Sequence, residues 1–256
     1  MCNFRNLTVF FTGITIVLLL VNLYIHVHLL FFIGIGLIFL GFIVWGSMRV
    51  CSQFYMKVLC HGSGNDNAVA LTFDDGPCEM TSEILDILKE YHVKAAFFCI
   101  GNQIEKHPDI LKRMHNEGHL IGNHSFNHGY LFDLKCASSM LKELKQTHAL
   151  VESLTSKRMK LFRPPYGVTN PAVKKAAKKM NYTTVGWSLR SFDTVHKNQG
   201  TILARIKKKI KGGDIILLHD NRRVTPELLR NFLIYANKHN IQIKTPDTLL
   251  QMDAYE

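Results

Sequence analysis

Apolar residues fill the N-terminal fifth of the chain in two blocks, over 7–25 and 29–45. A short polar patch, His26-Val27-His28, separates them, and a turn is expected around Asn22 to His28. A helix needs about 20 apolar residues to cross a bilayer, so the pattern predicts two membrane-spanning helices joined by a turn. A secretory signal peptide is the alternative, but its apolar part is only about 7–15 residues long and a small-residue cleavage site follows it. Since no convincing cleavage site follows here, we expect a retained membrane anchor over 1–50.

Beyond a polar loop, short runs of β-type residues alternate with amphipathic helical patterns. The strands are predicted at 69–73, 95–100, 119–122, 160–162, 183–187, 214–218 and 241–243. The helices are predicted at 82–91, 103–117, 134–154, 171–180, 202–210 and 226–238. Such alternation predicts a parallel sheet covered by helices, either an open doubly wound sheet or a closed barrel. We therefore expect a linker over 51–66 and one α/β domain over 67–256.

The composition excludes two classes of protein and shows that the chain is basic. Hydrophobic residues make up 47% of the chain and charged residues 20%, which excludes a disordered or fibrous protein. Lys and Arg number 31 against 20 Asp and Glu, so the formal net charge is +11. The lysines at 174–179 and 207–209 fall in helical runs, which is typical of solvated faces or faces toward anionic lipid. We therefore expect a lipid bilayer as a partner and no nucleic acid, and no protein partner is evident.

Two features bear on the side of the membrane at which the domain lies. Arg5 precedes the first apolar block, Arg49 and Lys57 follow the second, and the connecting stretch has no Lys or Arg. The positive-inside rule then predicts both ends in the cytoplasm. The six cysteines form no C-x-x-C pair, and we expect free thiols, which also fit the cytoplasm. A polymer in a cell wall would lie on the opposite side. We therefore expect a multi-pass protein of the cell membrane, and the sequence leaves open on which side of the membrane the catalytic domain lies.

Reactive side chains follow five of the predicted strands. In α/β folds the active site lies at these carboxyl ends. Two adjacent carboxylates can supply a cation ligand and a base, and H-x-x-x-H spacing puts two imidazoles on one face of a helical turn. Each motif is weak alone, but their joint placement at one sheet edge indicates an active site. In chain order the residues are Asp74, Asp75, His124, His128, Arg163, Arg190, Asp193 and His219.

Four ordered motifs resemble those of the polysaccharide deacetylases, carbohydrate esterase family four, whose shared unit is the NodB-homology domain. The resemblance covers roughly 65–250 and implies a distorted, incomplete (β/α) barrel of about seven units. It also implies a hydrolase that removes acetyl groups from N-acetylated sugars or, in some members, from O-acetylated sugars. The motifs are Thr72-Phe73-Asp74-Asp75-Gly76-Pro77, His124-Ser125-x-x-His128, Arg163-Pro164-Pro165-Tyr166-Gly167 and Leu217-Leu218-His219-Asp220.

The resemblance assigns a role to each catalytic position. It implies a divalent metal held by Asp75, His124 and His128. Zinc is the first expectation, and cobalt, nickel or iron(II) would accept the same ligands. Asp74 would be the general base that takes a proton from the attacking water, and His219 would protonate the leaving amine.

The remaining predicted site residues would position these groups or contact the substrate. Arg163 would hold Asp74 in place and keep it ionised, and Asp193 would orient His219. The backbone N–H of Tyr166 would stabilise the oxyanion. Substrate contacts are also expected from Pro164, Leu217 and Trp187, the last two lining a pocket for the acetyl methyl group.

The fourth motif departs from the family pattern. Thr194 stands where members often have Trp, and Arg190 stands at a position that is often acidic. This departure affects the substrate contacts more than the chemistry. A positive charge from Arg190 near the pocket would favour an acidic or phosphorylated substrate.

The leading hypothesis is a membrane-anchored, metal-dependent deacetylase of an amino-sugar glycan. Peptidoglycan, a chitin-like oligosaccharide and a lipid-linked glycan all fit. One alternative is an O-acetyl esterase, or an amidase of a non-sugar substrate, on the same scaffold. Another is a non-catalytic membrane protein that binds glycans, against which the intact pair of Asp74 and His219 argues.

Overall fold

The computed structural model describes residues 3–64 and 67–256. It begins with two helices, α1 (Phe4–Asn22) and α2 (Leu29–Met48), of 19 and 20 residues. At 1.5 Å per residue each is about 30 Å long, the thickness of the hydrocarbon core of a bilayer. The helices lie against each other, with the rings of Phe11 and Phe39 5.2 Å apart, so the expected hairpin and turn are present.

Few residues of this hairpin are buried within the protein. In the apolar window of each helix only 6% of the residues are buried. Both helices are long and apolar enough to cross a membrane, although a signal sequence near an N-terminus passes the same test of length and composition.

The remainder of the described chain alternates strands with helices, as the pattern predicts. The strands are β1 (Ala68–Asp74), β2 (Ala96–Cys99), β3 (Leu120–Asn123), β4 (Leu161–Phe162), β5 (Thr183–Thr184), β6 (Leu189–Arg190), β7 (Ile215–His219) and β8 (Gln242–Ile243). The helices are α3 (Glu79–Glu90), α4 (Gly101–Lys106), α5 (Pro108–Asn116), α6 (Ala137–Thr155), α7 (Pro171–Lys179), α8 (Gln199–Lys209), α9 (Thr225–Lys238) and α10 (Pro246–Leu250).

All the strands pair in parallel, in the order β5-β4-β3-β2-β1-β7-β6, with β8 pairing to β1. The two ends of this order, β5 and β6, are neighbours along the chain. The segment 185–188 joins them directly, so the sheet curls into a barrel that is left open between β5 and β6. The fold is therefore the distorted, incomplete (β/α) barrel that the resemblance implies.

The register brings the carboxyl ends of the strands to one edge. Asp74 of β1 lies opposite Phe98 of β2 on one side and opposite His219 of β7 on the other. Asn123 of β3 pairs with Phe162 of β4, so the residues that follow these strands emerge together. This edge is where the predicted reactive residues meet.

The sheet separates two apolar clusters. The larger one packs the outer face of the strands against helices, and includes the stacked rings of Phe73 and Phe97, 5.0 Å apart. The smaller one fills the barrel interior around Ala70, Phe98 and Leu161. Every residue of β1 is buried, which explains why this strand has a continuous apolar run rather than an alternating pattern.

Several predicted elements differ in detail. The helix predicted over 103–117 is two helices, since the residue before Pro108 leaves the helical region and α4 ends at Lys106. The strand predicted over 183–187 is only two residues long. The two-residue strand β6 and the five-residue helix α10 have no predicted counterpart, because neither is long enough to show a period.

The expectation of free thiols is wrong for two cysteines. Cys51 and Cys60 form a disulfide with a Cα–Cα distance of 6.0 Å. A 3₁₀ turn at Val50–Ser52 directs the chain after α2 back on itself, which places the two residues within bonding reach. Cys78, Cys99 and Cys136 are free, and Cys2 lies outside the described residues.

The predicted linker is packed rather than extended. Phe54, Tyr55 and Val58 are buried, and Leu59 pairs with Val185 of the barrel. The backbone N–H of Thr169 donates to the carbonyl of Ser47, at the end of α2, over 3.0 Å. Residues 65 and 66 of the predicted linker lie outside the described residues.

Candidate active site

The two adjacent carboxylates lie in different surroundings. Asp74 is the last residue of β1 and is 3% exposed. Burial raises the pKa of its carboxyl above the ordinary value, although the charges of Arg163 and His219 oppose this. Asp75 has a φ of 81°, in the left-handed region, which turns the chain sharply directly after the strand. This turn lets both side chains line one cavity although they are neighbours in sequence.

The two histidines do not lie on a helical turn, contrary to the prediction from their spacing. His124 directly follows β3, and the chain to His128 is an irregular loop in which Ser125 and His128 have φ values of 66° and 49°. The carboxylate of Glu143 in α6 accepts hydrogen bonds from the backbone N–H groups of Phe126 and Asn127, at 3.2 and 2.9 Å. The irregular loop between His124 and His128, which Glu143 of α6 holds in place, therefore brings the two imidazoles together.

Asp75, His124 and His128 form a cluster that could hold a metal ion, with their ligand atoms within 4.8 Å of one another. Nε2 of His124 and Nε2 of His128 lie 3.7 and 3.6 Å from Oδ1 of Asp75. Ligands about 2.1 Å from a tetrahedral zinc ion lie about 3.4 Å from each other, so these separations fit such an ion. Two imidazoles and one carboxylate also match the donor set of a catalytic zinc site.

Neighbouring groups orient these ligands. Nδ1 of His124 lies 2.8 Å from the carbonyl of Arg163, which requires Nδ1 to donate and leaves a lone pair on Nε2, facing the cluster. Burial, together with the charge of His128, lowers the pKa of His124 to about 3, so the ring is neutral at pH 7. Nδ2 of Asn221 donates to Oδ2 of Asp75 over 3.2 Å, which leaves Oδ1 toward the histidines. The residues therefore fit a bound divalent ion.

Arg163 is fully buried and contacts Asp74 from behind. Its Nη1 donates to Oδ1 of Asp74 over 2.6 Å and to the hydroxyl of Thr72 over 3.0 Å. The other guanidinium nitrogens donate to the carbonyls of Val185 and Gly186, on the segment that joins β5 and β6. Arg163 thus fills the open side of the barrel and fixes one oxygen of Asp74, leaving Oδ2 free toward the cavity.

His219 and Asp193 form a second pair across the cavity. Nδ1 of His219 lies 2.8 Å from Oδ1 of Asp193, and Oδ2 of Asp193 accepts from the backbone N–H of His219 over 2.7 Å. Burial alone would lower the pKa of His219, but the hydrogen bond and charge of Asp193 outweigh it and raise the pKa above its ordinary value. The imidazolium form, which can donate a proton from Nε2, is therefore stabilised.

The metal-ligand candidates, Asp74 and His219 line a cavity of about 430 Å³, within the range of about 300–1,000 Å³ that is usual for ligand sites. Of the predicted site residues, Arg163, Asp193 and Pro164 lie outside the lining. The first two contact Asp74 and His219 from behind, and Pro164 precedes the 3₁₀ turn at Pro165–Gly167. The predicted residues in the lining are Asp74, Asp75, His124, His128, Tyr166, Trp187, Arg190, Leu217 and His219.

Tyr166 packs directly on a histidine of the cluster. It has a φ of 58°, and its ring centroid is 4.6 Å from that of His128, whose carbonyl accepts from the Tyr166 hydroxyl over 3.2 Å. The next residue, Gly167, has a φ of 70°, and a Cβ there would collide with the ring of Trp187. The loop therefore requires glycine at this position to seat Trp187.

The residues in and behind the cavity fall into two groups, a floor and a mouth. The cavity floor consists of Asp74, Arg163, Asp193 and His219. The cavity mouth consists of Arg190, Arg222 and Tyr130, which are exposed and line the same cavity. Sequence patterns did not indicate Tyr130 or Arg222, because each lies in a loop and becomes part of the cavity only through the fold. Asn221 and Glu143 were also missed, because only the fold brings the loop after β7 to Asp75 and brings α6 to the loop that carries the histidines.

Comparisons with known proteins identify relatives of this chain. A family profile described as polysaccharide deacetylase matches residues 61–185, a range that includes the metal-ligand candidates and Arg163 and ends before His219. A peptidoglycan-N-acetylglucosamine deacetylase of Bacillus cereus is 37% identical over 196 residues, covering 73% of this chain and 90% of the relative. The peptidoglycan-N-acetylmuramic acid deacetylase PdaA of Bacillus subtilis is 36% identical over 194 residues, covering 74% and 73%.

A solved structure is similar over nearly its whole length. The Bc1960 peptidoglycan N-acetylglucosamine deacetylase superimposes with a TM-score of 0.73 at 31% identity. The match covers 78% of this chain and 95% of that one. The aligned parts thus include most of the barrel.

Proposed function

This chain belongs to the polysaccharide deacetylase family, and we propose that it is a membrane-anchored, zinc-dependent enzyme that removes N-acetyl groups from the amino sugars of peptidoglycan. The observation that carries the proposal is the Asp75–His124–His128 cluster with the free oxygen of Asp74 beside it. Oδ2 of Asp74 lies 3.8 Å from Nε2 of His124. A base placed this close to a metal site can act on water held there.

The reaction is a hydrolysis in which the C–N bond of the acetamide breaks, giving acetate and a free amine. A divalent ion in the cluster would lower the pKa of bound water and would polarise the acetyl carbonyl. Asp74 takes the proton of the attacking water at Oδ2, and burial, which raises the pKa of its carboxyl, makes it a stronger base. Arg163 keeps Asp74 oriented throughout.

A group across the cavity from the metal-ligand candidates supplies the second proton transfer. His219, held by Asp193, donates a proton to the departing amine nitrogen. The backbone N–H of Tyr166 stabilises charge on the carbonyl oxygen, and Leu217 and Trp187 enclose the methyl group. Pro164 restricts the backbone before Tyr166.

Acetate release tests this proposal. The full-length chain, loaded with zinc in detergent micelles, should release acetate from peptidoglycan glycan strands, and a chelator should abolish the release until zinc is restored. Acetylxylan serves as the O-acetyl control and should be a poor substrate. A chain with one zinc bound that releases no acetate from any amino sugar would overturn the proposal.

We further propose that 1–50 anchors the protein in the membrane as a hairpin, with 51–66 as a linker and 67–256 as the catalytic domain. The disulfide supports an assignment of side. Disulfides persist in oxidising compartments and are rare in the cytosol, so Cys51–Cys60 favours a catalytic domain outside the cytoplasm. This outweighs the three basic residues that favour the opposite side, and it suits a peptidoglycan substrate.

A C-terminal reporter tests the side. Alkaline phosphatase fused after residue 256 should be active, because it folds only where disulfides form, and a fluorescent protein that needs the cytoplasm should be dark. The reverse pattern would contradict the proposed side. In addition, Cys51 and Cys60 should react with maleimide only after reduction, whereas the exposed Cys136 should react without it.

A further inference from the structure

We propose that Arg190 and Arg222 bind an anionic substituent on the same sugar that carries the scissile acetamide. The inference rests on the proposed function and deepens it, because it selects an acidic amino sugar over a neutral one. The acidic group would be a carboxylate or a phosphate attached next to the acetamide-bearing carbon.

The first support is that both guanidinium groups lack an acidic partner among the described residues. In the part of the chain that the structure describes, no carboxylate lies within 4.0 Å of either group. Arg113, Arg158, Arg163 and Arg230, by contrast, each pair with an acid. Arg190 and Arg222 are exposed and line the cavity that holds the catalytic residues. Their guanidinium N–H groups are therefore available to donate to a ligand.

The second support is that Arg190 is held in position. Arg190 lies in β6, in register with Leu217 of the cavity lining. Its guanidinium carbon is 4.9 Å from the ring centroid of Phe192, and that of Arg205 is 4.3 Å from the same ring. This cation–π contact limits the positions that the guanidinium can adopt, so it presents a formed site rather than a mobile charge.

The third support is the charge of the neighbouring cleft. A second cavity of about 850 Å³ shares Thr194 and Arg222 with the first. Its lining also includes Lys197 and Arg223. The two acids in that lining are Asp193, which is bonded to His219, and Glu227. Positive charge therefore continues outward from the mouth of the catalytic cavity, along the direction that a longer glycan could follow.

The acids inside the catalytic cavity do not neutralise the two arginines. Asp74 is bonded to Arg163, and Asp75 faces two histidines and the side chain of Asn221. An anion at the mouth can thus be attracted by Arg190 and Arg222 while the acetamide reaches the cluster. In an N-acetylated hexosamine the acetamide is on C2, so a lactyl ether on C3 or a phosphate on C1 would be adjacent to it.

The experiment compares one neutral and two anionic substrates. The probes are an N-acetylglucosamine oligomer, a glycan strand containing N-acetylmuramic acid with its lactyl carboxylate, and N-acetylglucosamine 1-phosphate. We expect the R190Q/R222Q double variant to lower the ratio of kcat/KM for an anionic probe over the neutral one at least tenfold, through KM. R190K/R222K should restore part of the ratio, and R230Q, which removes a surface ion pair, should leave the ratio as in the parent.

Binding measurements keep this inference separate from the proposed function. In the zinc-loaded D74N background, which turns over substrate only slowly, calorimetry should show that R190Q/R222Q weakens binding of the anionic probes about tenfold relative to the neutral probe. This holds even if the parent releases no acetate from any probe, a result that would overturn the proposed function alone. A loss confined to the lactyl glycan assigns the site to a carboxylate, and a loss confined to the sugar phosphate assigns it to a phosphate. Equal losses on all three probes, or no loss on any, would overturn the inference.

Discussion

Charged side chains of the cavity floor contact partners of opposite charge, whereas those of the cavity mouth contact none in the described chain. Asp74 is bonded to Arg163 and His219 to Asp193. Arg190 and Arg222 are exposed and have no acidic neighbour within 4.0 Å among the described residues. Pairing fixes geometry and pKa, so the floor is suited to chemistry, and unpaired charge at the mouth is suited to selecting a substrate. Changes to the floor should therefore affect kcat and stability, and changes to the mouth should affect KM.

The substitution of Asp74 by Asn should have the largest effect. It removes the base but keeps the shape of the side chain, and general base catalysis contributes about 10²–10⁴ in rate. We expect kcat to fall by about that factor with one zinc still bound, as measured by acetate release and metal analysis. An Asp74→Asn enzyme that retained full turnover would place the base elsewhere.

The substitution of Arg163 by Met should reduce stability most. It leaves Asp74 buried without its cation, a loss of about 3–5 kcal/mol for a broken buried pair. We expect the thermal midpoint of the detergent-solubilised protein to fall by about 10 °C or more. Arg230→Met, which breaks an exposed pair with Glu90, is the matched control and should change nothing measurable. Equal thermal midpoints for Arg163→Met and Arg230→Met would show that the buried ion pair of the cavity floor stabilises the protein no more than an exposed surface pair does.

The substitution of Asp193 by Asn should shift the pH profile. Asp193 raises the pKa of His219 against the effect of burial, so its loss should lower that pKa. His219 must be protonated to act as an acid, and the descending limb of kcat/KM should therefore move to lower pH. The ascending limb, which we assign to Asp74, should stay in place. A shift of the descending limb to higher pH would mean that Asp193 does not stabilise the imidazolium.

The disulfide should have the smallest effect on activity. Closing a loop of this size stabilises a protein by about 2–3 kcal/mol. The Cys51→Ser/Cys60→Ser variant should thus unfold at a midpoint lower by about 5–10 °C, with kcat/KM changed less than about twofold. Cys136→Ser, at an exposed free thiol, is the control. A large loss of activity without a loss of stability would show that the linker acts on the cavity.

The alternation of strands and helices could be predicted because buried parallel strands leave apolar runs that are easily seen, as in β1. The ordered motifs predicted which residues gather at the sheet edge. The single helix predicted over 103–117 overlooked a visible signal, since Pro108 restricts the residue before it and so divides the helix. The two-residue strand β6 left no pattern, although it carries Arg190.

What could not be predicted depends on contacts between distant segments. The loop that brings His124 and His128 together is held by Glu143 of α6, so spacing alone suggested a helical turn that does not exist. The pairing of Cys51 with Cys60 depends on how the segment after α2 folds against the barrel. The two residues of the mouth that the motifs did not indicate, Tyr130 and Arg222, lie in loops whose position only the fold determines.

The hydrogen bond from Thr169 to Ser47 limits where such an enzyme can work. Since α2 ends against the barrel and the disulfide closes the segment that follows, the described part of the connection holds the domain close to the end of α2. Anchored in this way, it would reach only glycan within roughly one domain diameter of the lipid surface. Glycan that lies farther from the bilayer would keep its acetyl groups, because the domain could not follow it.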